Sequence, residues 1–343
     1  MFVIRPIEER DEEQFIALAL GSGEGITSLP KNIKLLKNKL AKSIDSFSKK
    51  IQDPGNELYL FVLENSDDGK LGGMAGIYAK TGYENPAIYY CIDEIDRSKM
   101  VVDGIPLKSI KYLRLVSYTA GPTENCSLYL HASYRHSGLG KLLSLSRLMY
   151  ITARRARFDK QIIANLRGFI DKSGNFPFWE ELGRRFLDIE FSKVQDLIHH
   201  IPSIALKILP DGPIYLSLLS ETTQEFIGSP HERTVPAQKI LMEQGFIRTN
   251  EIDPFDGGPK LIADTDKLKI VAGSTLSVLE NIFEDTDEHA LYIISNDKDP
   301  FRCCTGIIHL KNNLVGINRS SAKILHLEKG DKVRYYKIFE ESE

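Results

Sequence analysis

The stretch "LYLHASYRHSGLGKLLSLSRLMYITARRAR", residues 128–157, constrains this chain more than any other, because it joins a strand pattern to a helix pattern through a loop carrying two glycines. "CSLYLHASY" reads as a strand. From Gly138 to Arg157, Leu139, Leu142, Leu143, Leu145, Leu148, Met149 and Ile151 recur at helical spacing and make a broad buried face. Arg154, Arg155 and Arg157 fall where the helix dipole favours cations. The start of such a helix leaves four N–H groups without intrahelical partners and carries partial positive charge, so an anion can dock there on backbone alone. Gly138 and Gly140 withhold the side chains that would block it, Arg135 adds a charge at the entrance, and Ser137 offers a hydroxyl donor. An ordinary strand-to-helix turn with glycines at positive φ uses the same residues. Two dinucleotide or nucleotide loops are excluded by spacing. The Rossmann fingerprint needs a third glycine where Leu143 stands, and a P-loop needs more residues between its glycines and a Ser or Thr where Leu142 stands.

The remainder of the chain surrounds this unit with mixed elements. "FVIRPI" reads as a strand, followed by a helix "DEEQFIALALG" capped by Asp11 and stopped at Gly21. A glycine-rich loop "GSGEGITSLP" leads to the amphipathic "NIKLLKNKLAKSIDSF". "LYLFVLEN" and "KLGGMAGIYA" form a hairpin whose glycines permit close backbone approach or a bulge. "AIYYCIDEI" and "YLRLVSYT" are strands around a variable excursion, and "QIIANLRGFI" is the strand after the leucine-rich helix. "FPFWEELGRRF" reads as a short helix ending near Gly183, and "PAQKILMEQGF" as one running from Pro236 to Gly245. Residues 190–230 read as a helical insertion. The sequence thus divides into an α+β region, 1–261, and a small β-rich region, 262–343, with no obvious catalytic cluster in the second.

With 343 residues, 42% of them hydrophobic, the chain can fill sizeable cores. A formal charge of -3, from 44 basic and 47 acidic residues mixed along its length, provides no basic field for nucleic acid or an anionic membrane. Small molecules or proteins are the expected partners. Cys91, Cys126, Cys303 and Cys304 lack the C-x-x-C spacing of metal or redox sites, so no metal is expected, and a reducing cytoplasm fits. The N-terminus turns acidic within ten residues, unlike a signal peptide, and no apolar run approaches the ~20 residues that span a bilayer.

Arg-x-x-Gly-x-Gly after a strand, preceded by a strand, two helices and a hairpin, resembles the GNAT superfamily of acyl-CoA N-acyltransferases. In that superfamily this loop holds the pyrophosphate of coenzyme A. One departure is Ala132, where members often carry proline. Five blocks narrow the resemblance: "GSGEGITSLP", "LYLHASYRHSGLGKLLSLSR", "NLRGFIDKSGNFPFWEELGRRF", "IGSPHERTVPAQKILMEQGF" and "IDPFDGGP" are similar, in this order, to the bacterial arginine N-succinyltransferase family. The resemblance implies a GNAT-like fold with a helical insertion and a small C-terminal β-rich domain. It implies transfer of succinyl from succinyl-CoA, a co-substrate rather than a permanently bound cofactor, to the α-amine of L-arginine. It also makes a homo- or hetero-oligomer plausible.

The same resemblance assigns residues. Arg135, Ser137, Gly138 and Gly140 would hold the CoA pyrophosphate, and Leu128 would contact succinyl-CoA, mainly through backbone, as a core leucine also can. His231, in "SPHER", matches the family's proton donor, and an imidazole with a pKa of about 6.5 exchanges protons near neutrality. His131 and His136 are its rivals, lying closer to the CoA loop. A guanidinium calls for an acidic partner and a succinyl carboxylate for an arginine, which makes Asp256 and Arg167 the substrate-binding candidates. Asp256 reads equally as a turn former and Arg167 as half of a structural ion pair. Thr27 and Ser28 in "GITSLP" are candidates to line the acceptor pocket. Two other functions stay open: a related CoA-dependent transferase using ornithine or acetyl-CoA, and a non-enzymatic module that senses CoA or arginine.

Overall fold

The computed structural model describes residues 1–23, 25–135, 138–200, 204–286, 292–311 and 314–338. Strand β1 (Phe2–Pro6) buries Arg5, whose guanidinium donates to both Asp11 oxygens at 2.7 and 2.8 Å and to Glu64. This pairing corrects the expected cap. Asp11 closes a 3-10 turn and commits its carboxylate to Arg5 and to the Glu8 N–H, so α1 (Glu12–Gly21) begins without a side-chain cap. Helix α2 (Ile33–Ser48) has the cap that α1 lacks, with Asn32 Oδ1 accepting from the Leu35 N–H at 3.1 Å.

Strands β2 (Leu58–Asn65) and β3 (Leu71–Tyr78) form the expected hairpin. Close approach explains one of its glycines, since a Cβ on Gly73 would stand 2.7 Å from the Tyr129 carbonyl oxygen. Next come β4 (Ala87–Ile95), the small pair β5 (Val101–Val102) and β6 (Ile105–Pro106), and β7 (Ile110–Tyr118). They are followed by β8 (Thr123–Leu130), α3 (Leu139–Ala153) and β9 (Gln161–Asn165).

The segment after β9 is largely helical, with α4 (Arg184–Leu187), α5 (Phe191–His200), α6 (Ala205–Ile208) and α7 (Glu221–Phe226), and it adds the short β10 (Ile214–Tyr215) to the sheet edge. Gly183 does not stop its helix as expected. The chain passes through a π turn, Trp179–Gly183, and continues as α4, and Gly183 is present because a Cβ there would lie 2.0 Å from the buried Trp179 ring. Gly245, at φ 112°, does end α8 (Val235–Gln244), the left-handed backbone that glycine adopts without strain.

Strands β11 (Ile247–Ile252) and β12 (Pro259–Asp264) return to the sheet beside β9, so β12 runs across the expected break at 261. After α9 (Lys269–Gly273), β13 (Thr275–Phe283), β14 (Tyr292–Asn296), β15 (Cys303–Gly306), β16 (Ile308–Lys311), β17 (Leu314–Asn318), α10 (Arg319–Leu325) and β18 (Lys332–Lys337) build the β-rich C-terminal region. One sheet runs through both regions in the order β10-β7-β4-β11-β12-β9-β8-β3-β2-β1-β15-β14-β18-β13-β17-β16. The seam is β1 against β15, with Ile4 opposite Cys303, reinforced by Arg154 on Asp299 at 3.0 Å.

Two layers cover the first region's sheet. Phe15, Leu36 and Leu40 of α1 and α2 pack on Leu58, Leu60 and Met74 from one side. Leu142, Leu145 and Leu148 of α3 pack on Tyr59, Phe61 and Ile77 from the other, each buried leucine contributing roughly 1.5–3 kcal/mol. Among the described residues no helix is long and apolar enough to cross a membrane.

Candidate active site

The opening loop folds as its residues dictate. Gly138, at φ 73°, is the N-cap of α3 and supplies no side chain to its first-turn N–H groups. Among the described residues, a Cβ on Gly140 would meet Leu130 Cδ2 at an ordinary 3.7 Å, so their packing does not require glycine there. Arg135 is exposed and tethered to the strand end, its Nε donating to the Leu130 carbonyl at 3.1 Å. Ala132 opens the 3-10 turn that precedes it. Ser137 and His136 lie outside the described residues. His131 is exposed, and its Nδ1 accepts from the Ser133 N–H.

Behind this loop the sheet opens. β8 and β9 run parallel, pairing from Thr123 with Ile162 to Asn125 with Ala164, and the pairing then ends while β8 continues to Leu130. On the other edge of β8, against β3, Ser127 and Leu128 stand opposite Ala75 alone, because Cys126 pairs with Gly76 and Tyr129 with Met74. The strand therefore bulges at these two residues, with Ser127 at φ 52°. Its N–H leaves the sheet and donates to Ser28 Oγ at 2.9 Å. Leu128 is half-buried, its side chain packed against the α3 core.

The glycine-rich N-terminal loop spans this opening. At one end Ser28 holds the bulge of β8; at the other, Gly25, at φ 83°, lies so close to Arg167 that a Cβ would sit 2.3 Å from its Cδ. Arg167 follows β9 and begins a knot of three loops. His231 donates its main-chain N–H to the Arg167 carbonyl at 2.8 Å, and Gly168 pairs with Pro230. Gly228 donates to the Gly257 carbonyl at 2.9 Å. Asp256 ties the knot by accepting from the Gly168 N–H at 2.9 Å and the Gly258 N–H at 2.8 Å. With both oxygens so engaged, the Asp256 carboxylate has the turn-forming geometry that its sequence allowed. Burial, and then the neighbouring Asp253, raise its pKa.

His231 is 9% exposed, and its Nδ1 accepts from the Arg233 N–H at 3.0 Å. This bond assigns the neutral tautomer with the proton on Nε2. Burial first, then the Arg167 and Arg233 charges, lower its pKa below the ordinary imidazole value. Burial lowers the Arg167 guanidinium as well, helped by Arg233 and Arg135 and opposed by Asp256. Arg135, Arg167, His231 and Asp256, separated in sequence, thus lie within electrostatic reach as one chain of neighbours.

Sequence reasoning passed over a second set of polar groups on the α1–α2 side of the same strands. Glu124 of β8 accepts from Asn165 Nδ2 at 3.0 Å, and that nitrogen also donates to the Tyr89 hydroxyl at 3.2 Å. Burial raises the Glu124 pKa to about 7. Lys260 lies 4.0 Å above the Tyr89 ring and pairs with Glu251, while Lys39 bonds the Tyr78 hydroxyl. A glutamate inside a strand flanked by buried residues was the available signal, since such a group is rarely buried without purpose.

A family described as "Arginine N-succinyltransferase beta subunit" matches residues 2–270, and the C-terminal domain described for the same beta chain matches residues 274–337. The chain belongs to the arginine N-succinyltransferase family. An arginine N-succinyltransferase from Yersinia pestis (strain Pestoides F) is 33% identical over 99% of this chain and 98% of its own. One from Photorhabdus laumondii is 34% identical over 99% of each. Among solved structures, the arginine/ornithine succinyltransferase subunit AI from Pseudomonas aeruginosa superposes with a TM-score of 0.87 at 29% identity, covering 99% of both chains. Membership in the arginine N-succinyltransferase family therefore extends through the C-terminal region, where the sequence blocks had been least informative.

Proposed function

We propose that this chain transfers succinyl from succinyl-CoA to the α-amine of L-arginine. The α-ammonium first gives one proton to solvent; the N–C bond then forms as the C–S bond breaks, and the second proton released from nitrogen ends on the CoA thiolate, which leaves as the thiol. The carrying observation is the opening between β8 and β9, with Gly138 and Gly140 at its mouth and Arg167 and His231 beside it. The pyrophosphate docks on the start of α3 beside Arg135, and the pantetheine arm lies along the unpaired edge of β8. The Leu128 N–H bonds the thioester oxygen as negative charge develops.

His231 acts through Nε2–H. Because its Nδ1 is held as an acceptor and its cationic form is disfavoured, it serves as a neutral donor to the oxyanion or departing thiolate. A thiol with an ordinary pKa of about 8.5 needs only such modest help to leave. Arg167 is the group of the right sign and shape for the succinyl carboxylate. The solved relative named for arginine and ornithine makes ornithine the second acceptor to assay. Four buried, unpaired cysteines support a cytoplasmic setting. The test is thiol release from succinyl-CoA with L-arginine, followed by mass analysis of the product. Equal rates with acetyl-CoA would remove the succinyl assignment.

A further inference from the structure

The transfer chemistry above leaves the polar recess on the α1–α2 side of β8 unused. Register places its members on one face: Tyr78 pairs with Glu124 across β3 and β8, Glu124 pairs with Ile163, and Asn165 lies two residues beyond on β9. Lys39 reaches this face from α2, and Tyr89 and Lys260 border it. Glu124, Tyr78, Asn165 and Lys39 all keep partial exposure, so the recess is open to solvent at this point.

Its charges are unequally satisfied. Lys260 has Glu251, and Lys39 has the Tyr78 hydroxyl. Among the described residues, the direct hydrogen-bond partner of Glu124 is the neutral Asn165 amide. Asn165 directs its Nδ2 to Glu124 and Tyr89, while its buried Oδ1 has no partner. A carboxylate and an amide oxygen are therefore left side by side, both acceptors. A guanidinium is a planar fork of five donors and needs several acceptors at once.

Position decides which part of an acceptor could reach them. Glu124 lies on the same strand as Leu128, four residues earlier with the bulge between. At about 3.3 Å per residue the two are roughly 10–13 Å apart. The α-nitrogen of an attacking amino acid must come within about 3 Å of the thioester carbon. An extended arginine then carries its guanidinium carbon a further ~7 Å, from six bonds of about 1.5 Å in zigzag. That span ends at Glu124. The succinyl-CoA carbonyl at Leu128 and the carboxylate at Glu124 thus stand at the two ends of one arginine.

We infer that Glu124, with Asn165 Oδ1 beside it, receives the guanidinium of the acceptor and selects an amino acid with a cationic side chain. This inference rests on the amino-acid acyltransferase reading above and names the specificity group of that same site. Burial of Glu124 outweighs the Lys39 and Lys260 charges nearby, so a cation bonded directly to its carboxylate adds stabilisation that those lysines do not supply.

The test compares kcat/KM for L-arginine with that for L-citrulline, its neutral ureido isostere, at saturating succinyl-CoA. Glu124→Gln keeps the shape and a hydrogen bond to Asn165. It is expected to lower kcat/KM for arginine about 100-fold, mainly through KM, to leave citrulline within threefold, and to leave the KM for succinyl-CoA unchanged. An equal fall with both acceptors, as loss of a proton acceptor or of structure would give, overturns the inference, and so does no change with either. Should Glu124→Gln not fold, Glu124→Asp decides: the retracted carboxylate must lower the arginine-to-citrulline ratio, and an unaltered ratio overturns the proposal. A wild-type chain that releases CoA with arginine but does not prefer it to citrulline defeats this inference alone. One that releases none with any amino acid defeats the transferase reading first.

Discussion

His231 donates its main-chain N–H to the carbonyl oxygen of Arg167 across 2.8 Å, and this bond sets the imidazole beside the guanidinium at the end of β9. The same imidazole is held through Nδ1 by the Arg233 N–H, so its position and its tautomer are both determined by backbone. His231→Ala should lower kcat about 100- to 1000-fold, as loss of one preorganised donor does, with the KM for succinyl-CoA within threefold. Steady-state kinetics with a thermal-melt control measures this, and an active Ala variant would remove His231 from the chemistry.

The pH dependence follows from the sign of the same shift. A histidine whose folded pKa is lowered stabilises the fold fully above its unfolded value of about 6.5, and that contribution is lost as pH falls below it. Activity that needs neutral His231 should therefore persist below pH 6.5. In kcat against pH, an acid limb centred above 6.5 and absent from His231→Asn would contradict the neutral-donor role.

Gly138 and Gly140 should respond differently to substitution. Gly138→Ala forces a side chain onto a left-handed residue and should cost about 1–2 kcal/mol of stability. Gly140→Ala finds ordinary contact with Leu130 and should melt within a few degrees of wild type, whereas Gly140→Glu puts a carboxylate where the pyrophosphate is proposed to dock. We expect the KM for succinyl-CoA to rise at least tenfold in the Glu variant. Calorimetry with CoA that gave wild-type affinity would place the carrier elsewhere.

Glu124 makes a prediction of opposite sign to that of His231. Its folded pKa, about 7, lies above its ordinary value of 4.5, so its contribution is present below pH 4.5 and is lost as pH rises through 7. Glu124→Gln should be more stable than wild type at pH 8, by at most about 3 kcal/mol, and not at pH 4.5. Urea unfolding at the two pH values checks this, and a gain that is equal at both would point to packing instead of charge.

Gly168 tests the knot of loops. A methyl there would stand 2.1 Å from the Asp256 carbonyl oxygen, and backbone cannot yield as a flexible side chain can. Gly168→Ala should destabilise by about 2–4 kcal/mol and abolish transfer together. Asp256→Asn, which turns an NH2 toward a backbone donor, should cost about 1–3 kcal/mol. Protein melting at the wild-type temperature in both would reduce the knot to a surface loop.

Much of this was legible along the chain because it rests on local periodicity. The leucines of α3, the hairpin β2–β3 and the Gly245 stop follow from spacing and backbone preference alone. Asp11 and Gly183 went otherwise than expected because distant or overlying side chains overrode the local signal: Arg5 of the buried strand takes the aspartate, and the Trp179 ring occupies the space above the glycine. Glu124 was passed over because its partner Asn165 lies 41 residues later on a parallel neighbour, where no repeat links the two.

The order of residues by itself determined the leucine-rich helix α3, the β2–β3 hairpin, the glycine mouth of α3 and the histidine block, each written within a few consecutive positions. Only the tertiary structure decided that β8 and β9 part after Asn125, that one loop bridges the gap from Ser28 to Gly25, that Arg167 and His231 meet beside it, and that Glu124 meets Asn165. The reason is physical. Periodicity encodes which face of an element is buried, whereas a site's distances and proton affinities come from burial and charge contributed by segments far apart in the chain, and those exist only once the sheet has assembled.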